Sequence, residues 1–318
     1  MPPRTALPLP FKTLAPTISH RSRAMAAAAS GFPTPMTPPY PAISKEVELR
    51  RAMTAAARSG AYELGAGDVV FEDESMVVVN KPSGIYCETL LKALSDMSPP
   101  LTGNGTSEDN VLHLANRLDR DTSGLMVITK SNKVAAKLVK AFTDHKVKKS
   151  YIALCIGHAP KWKKLTISSG HGRSKFGAWR VYSKSDVGRT LPGGSTVKDM
   201  MTCFEVLSIN GQKNNSSDDL NVTVESKADE SGFGEDEILI RAWPQSGRTH
   251  QIRLHCQYLG IPIRGDVKYG GVIQWKGVEF DFHALHAETL SFDHPVSGSA
   301  LCFRSPLPLW ANEMMTMD

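Results

Sequence analysis

His113-Leu114-Ala115-Asn116-Arg117-Leu118-Asp119-Arg120-Asp121-Thr122-Ser123-Gly124 runs straight into Leu125-Met126-Val127-Ile128-Thr129. Charges of both signs crowd the first segment, and the second has the composition of a buried strand. A loop feeding a core strand is held by a rigid scaffold, the usual setting for reactive side chains. Asp119 has Arg117 and Arg120 as near neighbours in sequence, and a cation within a few ångströms lowers a carboxyl pKa by roughly one to three units. An ionised carboxylate suits a nucleophile or a base better than a general acid. Arg and Asp interleaved on a loop more often form a structural ion-pair network, so the rest of the chain has to decide between the two.

Arg117-Leu118-Asp119-Arg120-Asp121-Thr122-Ser123-Gly124 closely resembles the signature loop of the RluA-type pseudouridine synthases, whose core is Arg-Leu-Asp-x-x-Thr-Ser-Gly. Further blocks are similar to that family in the same order. They are Asn80-Lys81-Pro82-Ser83-Gly84, Lys149-Ser150-Tyr151-Ile152-Ala153 and Ser246-Gly247-Arg248-Thr249-His250-Gln251-Ile252-Arg253-Leu254-His255. Gly260-Ile261-Pro262-Ile263-Arg264-Gly265-Asp266 and Tyr269-Gly270 follow the last of them. The resemblance covers roughly residues 69–308. It implies an α+β fold, a pseudouridine synthase catalytic fold with one mixed, mostly antiparallel sheet, a central cleft and flanking helices. It also implies an isomerase that converts uridine in RNA to pseudouridine without a cofactor.

By the same resemblance Asp119 is the catalytic carboxylate, Arg253 its partner, and Tyr151 the aromatic that lies against uracil and moves the proton from carbon five. Without the resemblance, Tyr151 at the start of a strand reads as sheet packing. The Arg253 pairing has a physical sense of its own, since a buried carboxylate needs a partner and a planar guanidinium can orient it with two hydrogen bonds. Arg117, His113, Arg248, Gln251, Ile252 and Lys81 are the expected substrate contacts. Arg117 is expected to fill the space of a flipped nucleotide or to meet its phosphate, and Lys81 to sit on an exposed turn within reach of one.

The 318 residues carry a net charge of +5, and no apolar run approaches the roughly eighteen residues of a membrane span. From Lys130 to Lys184 Asp144 is the single acid among many Lys and Arg residues, which describes either a solvated face or an RNA-facing one. The five cysteines, Cys87, Cys155, Cys203, Cys256 and Cys302, show no Cys-x-x-Cys spacing, and the histidine spacings do not suggest a ligand set, so neither a metal nor a disulfide framework is expected. No phosphate-cradling or dinucleotide-binding glycine pattern is present. The expected partner is RNA (a tRNA, rRNA or mRNA uridine), and the expected state a monomer.

Residues 1–45 hold recurrent prolines and only positive charge, the first acid being Glu46. They read as a disordered extension resembling an organellar transit peptide, with chloroplast or mitochondrion as the destination. Met25 as an internal start would instead give a cytoplasmic or nuclear product. The catalytic domain is expected over 46–318. Within it, Lys45–Ser59 reads as a short helix, 69–71 and 76–79 as strands, and Ser95–Asn110 as a flexible loop. Ser131 is placed to cap a helix with Val134, Leu138 and Phe142 inward and Lys133, Lys137 and Lys140 outward. Residues 161–194 read as irregular or short-stranded, with Trp162, Phe176 and Trp179 either buried or available to stack on bases. Residues 200–209 and 238–243 read as strands, 211–236 as a solvated insertion, and 249–258 as a helix ended by Gly260. Two rival functions remain: an inactive RNA-binding protein of the same fold, and a carboxylate-dependent hydrolase, for which a second paired carboxylate is not evident.

Overall fold

The computed structural model describes residues 31–97, 111–229 and 234–315. The strands, in chain order, are β1 (Val69–Glu72), β2 (Met76–Lys81), β3 (His113–Leu114), β4 (Ser123–Thr129), β5 (Lys148–Gly157), β6 (Lys164–Arg173), β7 (Trp179–Tyr182), β8 (Lys198–Ile209), β9 (Gln212–Lys213), β10 (Asp219–Thr223), β11 (Asp236–Pro244), β12 (Gln274–Trp275), β13 (Val278–Glu279), β14 (Leu285–Asp293) and β15 (Ala300–Arg304). The α-helices are α1 (Ser44–Gly60), α2 (Cys87–Met97), α3 (Asn132–Thr143), α4 (Gln251–Tyr258) and α5 (Leu309–Glu313).

One sheet runs in the order β1-β2-β4-β14-β5-β11-β8-β6-β10, with β15, β3, β7 and β9 attached along it. Its pairings are antiparallel except β14 with β4 and β10 with β6. The fold is α+β with a mostly antiparallel sheet, as the resemblance implies. Strand β4 is buried at every position from Gly124 to Thr129, because α3 packs on one face and α2 on the other. Its unbroken apolar run is what burial on both faces requires. Strand β8 instead alternates buried and half-buried residues from Met200 onward, the pattern of a sheet with one wetter face.

The late-arriving β14 inserts between β4 and β5 and so joins the two halves of the sheet. Where it meets β4, Gly124 pairs with Ala287 at φ +108°, and a Cβ placed there would lie 2.3 Å from the Ala287 carbonyl oxygen. Only glycine fits that approach. Tyr151, on β5, packs against both the core under β5, β8 and β11 and the core under α2, so the junction of the two halves falls beside it.

Helix α3 starts as expected, with Ser131 Oγ accepting the Val134 N–H at 3.3 Å, Val134 and Leu138 buried and the three lysines exposed. Other regions differ from their sequence reading. Residues 31–43, expected within an unfolded extension, are packed: Met36 N–H donates to Val181 O and Met36 O accepts from Ala228 N–H, each at 2.8 Å, and Thr37 is buried. Low apolar content says little about a segment whose backbone groups find partners on a strand edge. The stretch 161–194, expected to be irregular or short-stranded, holds the regular ten-residue β6. The expected insertion 211–236 contributes β9 and β10 and buries Val224 completely. Helix α2 reaches Met97 into the expected loop Ser95–Asn110; residues 98–110 of that loop and 1–30 of the extension lie outside the described residues. No described helix is long and apolar enough to cross a membrane.

Candidate active site

A cleft of about 760 Å³ opens at the junction of the two sheet halves, lined by residues 115–122, Phe142 at the end of α3, Lys149 and Tyr151 of β5, and residues 246–253 leading into α4. The loop that carries Asp119 is tied down from several directions. Cys87 Sγ lies 3.2 Å from Leu118 O, Gly84 N–H donates to Arg120 O at 2.9 Å, and Thr122 Oγ1 meets His283 Nε2 at 2.8 Å. Arg120 grips the buried Asp121 with two bonds of 2.6 and 2.7 Å. That pair is the ion-pair network that interleaved Arg and Asp residues usually form; Asp119 is the member left over.

Lys81 corrects its sequence reading. Its side chain is completely buried, and its ammonium donates at 2.9 Å to the carbonyls of Pro82, Ile85 and Arg120. Burial lowers its pKa to about 8. It is an internal tie between the Lys-Pro turn and the Asp119 loop, and it cannot meet a phosphate.

Asp119 keeps 29% of its side chain exposed on the cleft floor. Oδ2 accepts from Arg253 Nη1 at 2.6 Å, and Oδ1 lies 3.6 Å from His250 Nε2. Burial acts to raise its pKa, but the Arg253 charge and hydrogen bond outweigh that and hold the carboxyl well below the usual carboxylate range. Arg253 is therefore the partner, with a difference from expectation. It gives one hydrogen bond to Asp119 and two to the fully buried Asp266, Nε–Oδ2 at 2.6 Å and Nη2–Oδ1 at 2.8 Å. The bidentate grip that was expected to orient Asp119 orients Arg253 instead, and sequence reading left Asp266 without a role.

His250 completes the floor, and the fully buried Tyr269 stands behind it. His250 caps α4 in the left-handed region at φ +58°, uncommon for a side chain with a Cβ, and its Nδ1 lies 2.6 Å from Tyr269 Oη. Burial first, and the Arg253 charge second, push its pKa down to about 3, so it is neutral. In the sequence both residues fall in blocks that resemble the family, His250 in 246–255 and Tyr269 in Tyr269-Gly270.

Half-buried Tyr151 faces the cleft with its pKa pushed up to about 12 by burial and by the Asp119 charge. Lys149, which carried no expected role, lines the same cleft and donates to Ser246 O at 3.1 Å. Burial lowers its pKa to about 8, and among the described residues no carboxylate pairs with it. Arg117 is exposed on the rim, 2.9 Å from Glu88. Arg248 also lines the cleft and is exposed, with Nε donating to Asp199 O at 3.1 Å. Ile252 is buried in the cleft wall. Gln251 is tied to Ser246 Oγ, Arg248 N–H, Met201 O and Thr202 Oγ1, so it shapes the 246–250 turn and has little capacity left for substrate. His113 is a second correction: it pairs with Thr129 in β3 and lies outside the cleft lining.

A sequence model described as RNA pseudouridylate synthase matches residues 75–258, a span that contains Asp119, Tyr151 and Arg253. The chain belongs to the RNA pseudouridylate synthase family. It is 63% identical over 306 residues to "RNA pseudouridine synthase 1" of Oryza sativa subsp. japonica, covering 93% of this chain and 88% of the relative. With the protein of the same description from Arabidopsis thaliana it shares 58% identity over 287 residues, 88% and 87% of the two chains. The solved structure of Human RNA Pseudouridylate Synthase Domain Containing 4 aligns with a TM-score of 0.52 at 21% identity, over 85% of this chain and 97% of that one, a likeness of fold. Family membership makes this pseudouridine synthase an isomerase acting on RNA.

Proposed function

We propose that this cleft receives a uridine turned out of folded RNA and converts it in place to pseudouridine, with Asp119 as the acting carboxylate, Arg253 its orienting partner and Tyr151 against the base. The observation that supports it best is Asp119 itself: an ionised carboxylate on the floor of an open cleft, one oxygen held by Arg253 and the other free. A base inside a stack hides its glycosidic bond, so the nucleotide must be everted, at an unstacking cost of a few kcal/mol that backbone contacts offset. Arg117 and Arg248 on the rim, with Lys149 inside, supply those contacts.

Asp119 Oδ1 then acts at the ribose. The bond from carbon one of the sugar to N1 of uracil breaks, the base turns, and a bond from the same sugar carbon to carbon five forms. Carbon five loses its proton and N1 gains one, so no atom and no electron is gained or lost and no redox co-reactant is called for. The Tyr151 phenol is protonated in the free enzyme, partly because of the Asp119 charge. When Asp119 spends that charge at the sugar, the phenol becomes easier to ionise, in the part of the cycle where a proton must leave carbon five.

Incubation with RNA tritiated at carbon five of uridine tests the reading. Tritium release from an intact RNA chain is expected. Free uracil would identify a hydrolase, and RNA binding without release an inactive binder. As for the RNA, transfer, ribosomal and messenger RNA are all candidates for the substrate, and loss of specific modified sites in cells lacking the protein identifies it. We further propose that the enzyme works as a monomer, since residues of one chain line the cleft, and sedimentation reads the mass. The acid-free sequence 1–45 supports an address to chloroplast or mitochondrion. Fluorescent fusions beginning at Met1 and at Met25 separate that from a cytoplasmic or nuclear product.

A further inference from the structure

We propose that Tyr40, on the segment preceding α1, is a positioning residue for the isomerisation: acting through Tyr269, it fixes His250 with its proton on Nε2, facing Asp119. The proposal rests on the role assigned to Asp119 above. Tyr40 lies outside the family-matched span 75–258 and in a stretch whose composition alone describes a tail.

Four groups form a continuous chain. Trp179 N–H donates to Tyr40 Oη at 3.1 Å, Tyr40 Oη lies 3.3 Å from Tyr269 Oη, and Tyr269 Oη lies 2.6 Å from His250 Nδ1. The far side of the imidazole, Nε2, is 3.6 Å from Asp119 Oδ1. Only the first donor is fixed by covalent structure, which leaves two self-consistent ways to place the remaining protons. In one, Tyr40 donates to Tyr269, Tyr269 donates to Nδ1, and the neutral ring carries its proton on Nε2. In the other the Tyr40–Tyr269 and Tyr269–His250 bonds are both reversed, and Nε2 presents a bare lone pair to Asp119. Because Arg253 keeps Asp119 ionised, a lone pair directed at that anion is repelled and an N–H is attracted. The first arrangement wins.

The rings are held to that task. Tyr40 meets Tyr269 edge to face with centroids 5.4 Å apart, and His250 meets Tyr269 at 5.5 Å. The left-handed backbone of His250 is strained for a residue with a Cβ, and the strain is retained where it places the ring between Tyr269 and Asp119. With Arg253 on Oδ2, Oδ1 is the oxygen offered to the ribose. At 3.6 Å the Nε2–H is too distant for a full hydrogen bond in the free enzyme, so Oδ1 stays available; such contacts tighten when substrate is bound. Tyr40 never touches the substrate. Together with the Asp119 charge, it decides whether the Nε2 that faces the reacting oxygen carries a proton.

The test uses the full chain with Tyr40→Phe, Tyr269→Phe and the double substitution, each keeping the rings and removing only hydroxyls. Two readouts are taken: tritium release under single-turnover and steady-state conditions, and ¹⁵N shifts of the His250 imidazole, assigned by their loss in His250→Gln. We expect Tyr40→Phe to lower kcat on the order of tenfold, less than the roughly hundredfold seen for a donor aimed directly at a reacting oxygen, with KM within about twofold. Tyr269→Phe should lose at least as much, and the double variant no more than Tyr269→Phe alone, as for residues acting through one path. The His250 shifts should move from the Nε2–H tautomer toward a mixture in both single variants. Tyr40→Phe with wild-type kcat, an unchanged tautomer, or additive losses in the double variant would each overturn the relay. The tautomer is read without turnover, so a wild-type enzyme that releases no tritium defeats the assignment of Asp119 separately from the proton arrangement.

Discussion

Arg253 holds two carboxylates, and their environments assign them different work. Asp266 is sealed in and gripped twice, whereas Asp119 is open to the cleft and gripped once. Asp119→Asn should therefore reduce tritium release by more than about 10⁴-fold, as for loss of a nucleophile. RNA affinity should stay within about twofold and melting within a few degrees, because Arg253 keeps Asp266. Asp266→Asn should instead destabilise the protein by about 3–5 kcal/mol, the usual cost of breaking a buried pair, which urea unfolding would show. The pH dependence follows from neighbouring groups. Asp119 has a depressed pKa, so its pairing contributes stability above the ordinary carboxyl range and loses it only as pH falls through the lowered value. His250, at about 3, is neutral throughout the usual range. The acid limb of kcat should then be flat. Lys149 carries its charge only below about 8, so KM for RNA should rise as pH passes through that value. Lys149→Met should remove the rise and lower the slope of log affinity against log salt by about 1. Folding has the opposite dependence on the same group: the penalty for burying charged Lys149 is full below about pH 8 and is relieved above it.

Among the elements, those whose partners are local matched their reading closely. Helix α3 has its cap at Ser131 and its lysines outside, since capping and a helical stripe are properties of about a dozen neighbouring residues. Strand β4 was legible because burial on both faces leaves an uninterrupted apolar run. Strand β10 was not: Asp219–Thr223 is exposed or half-buried throughout, and it is a strand because it lies parallel to β6 over five residue pairs. Polar residues become strand when a neighbouring edge offers hydrogen bonds, and the neighbour is not visible in the segment itself. The tightest demand on any element falls where β4 meets β14. Gly124→Ala must place a methyl group 2.3 Å from a carbonyl oxygen at a positive φ, and the loss should be roughly 3 kcal/mol or more, measured by urea unfolding. Activity should fall with it, since Ser123 and Gly124 continue directly from the Asp119 loop.

At the scale of the whole molecule, β14 closes the two halves into one sheet and the cleft lies across the closure, so residues far apart in sequence meet there. Asp119 and Arg253 are 134 positions apart, and Tyr40 and Tyr269 are 229 apart. The N-terminal segment and α1 brace this junction. Arg51 donates to Gly265 O at 2.7 Å and Phe280 O at 2.6 Å, and Glu48 reaches Arg120 at 3.7 Å and Lys268 at 3.5 Å. A chain beginning at Ser44 should therefore lose at least the roughly tenfold in kcat expected of Tyr40→Phe, together with a lower melting temperature from the lost Met36 and Thr37 contacts. Tritium release and thermal melting read the two effects apart.

The acid on the signature loop, the arginine expected to meet it, the aromatic on the next strand and the family to which all three point were legible in the residues alone, because each sits in a short motif whose residue types carry their own chemistry. It took the folded molecule to show that Lys81 is an internal tie, that His113 stands outside the cleft, that Asp266 orients Arg253, and that a supposed tail brings Tyr40 against Tyr269 behind the site. These outcomes depend on which strand lies beside which. Strand order is set by the burial of the whole sheet, and no local run of residues records it.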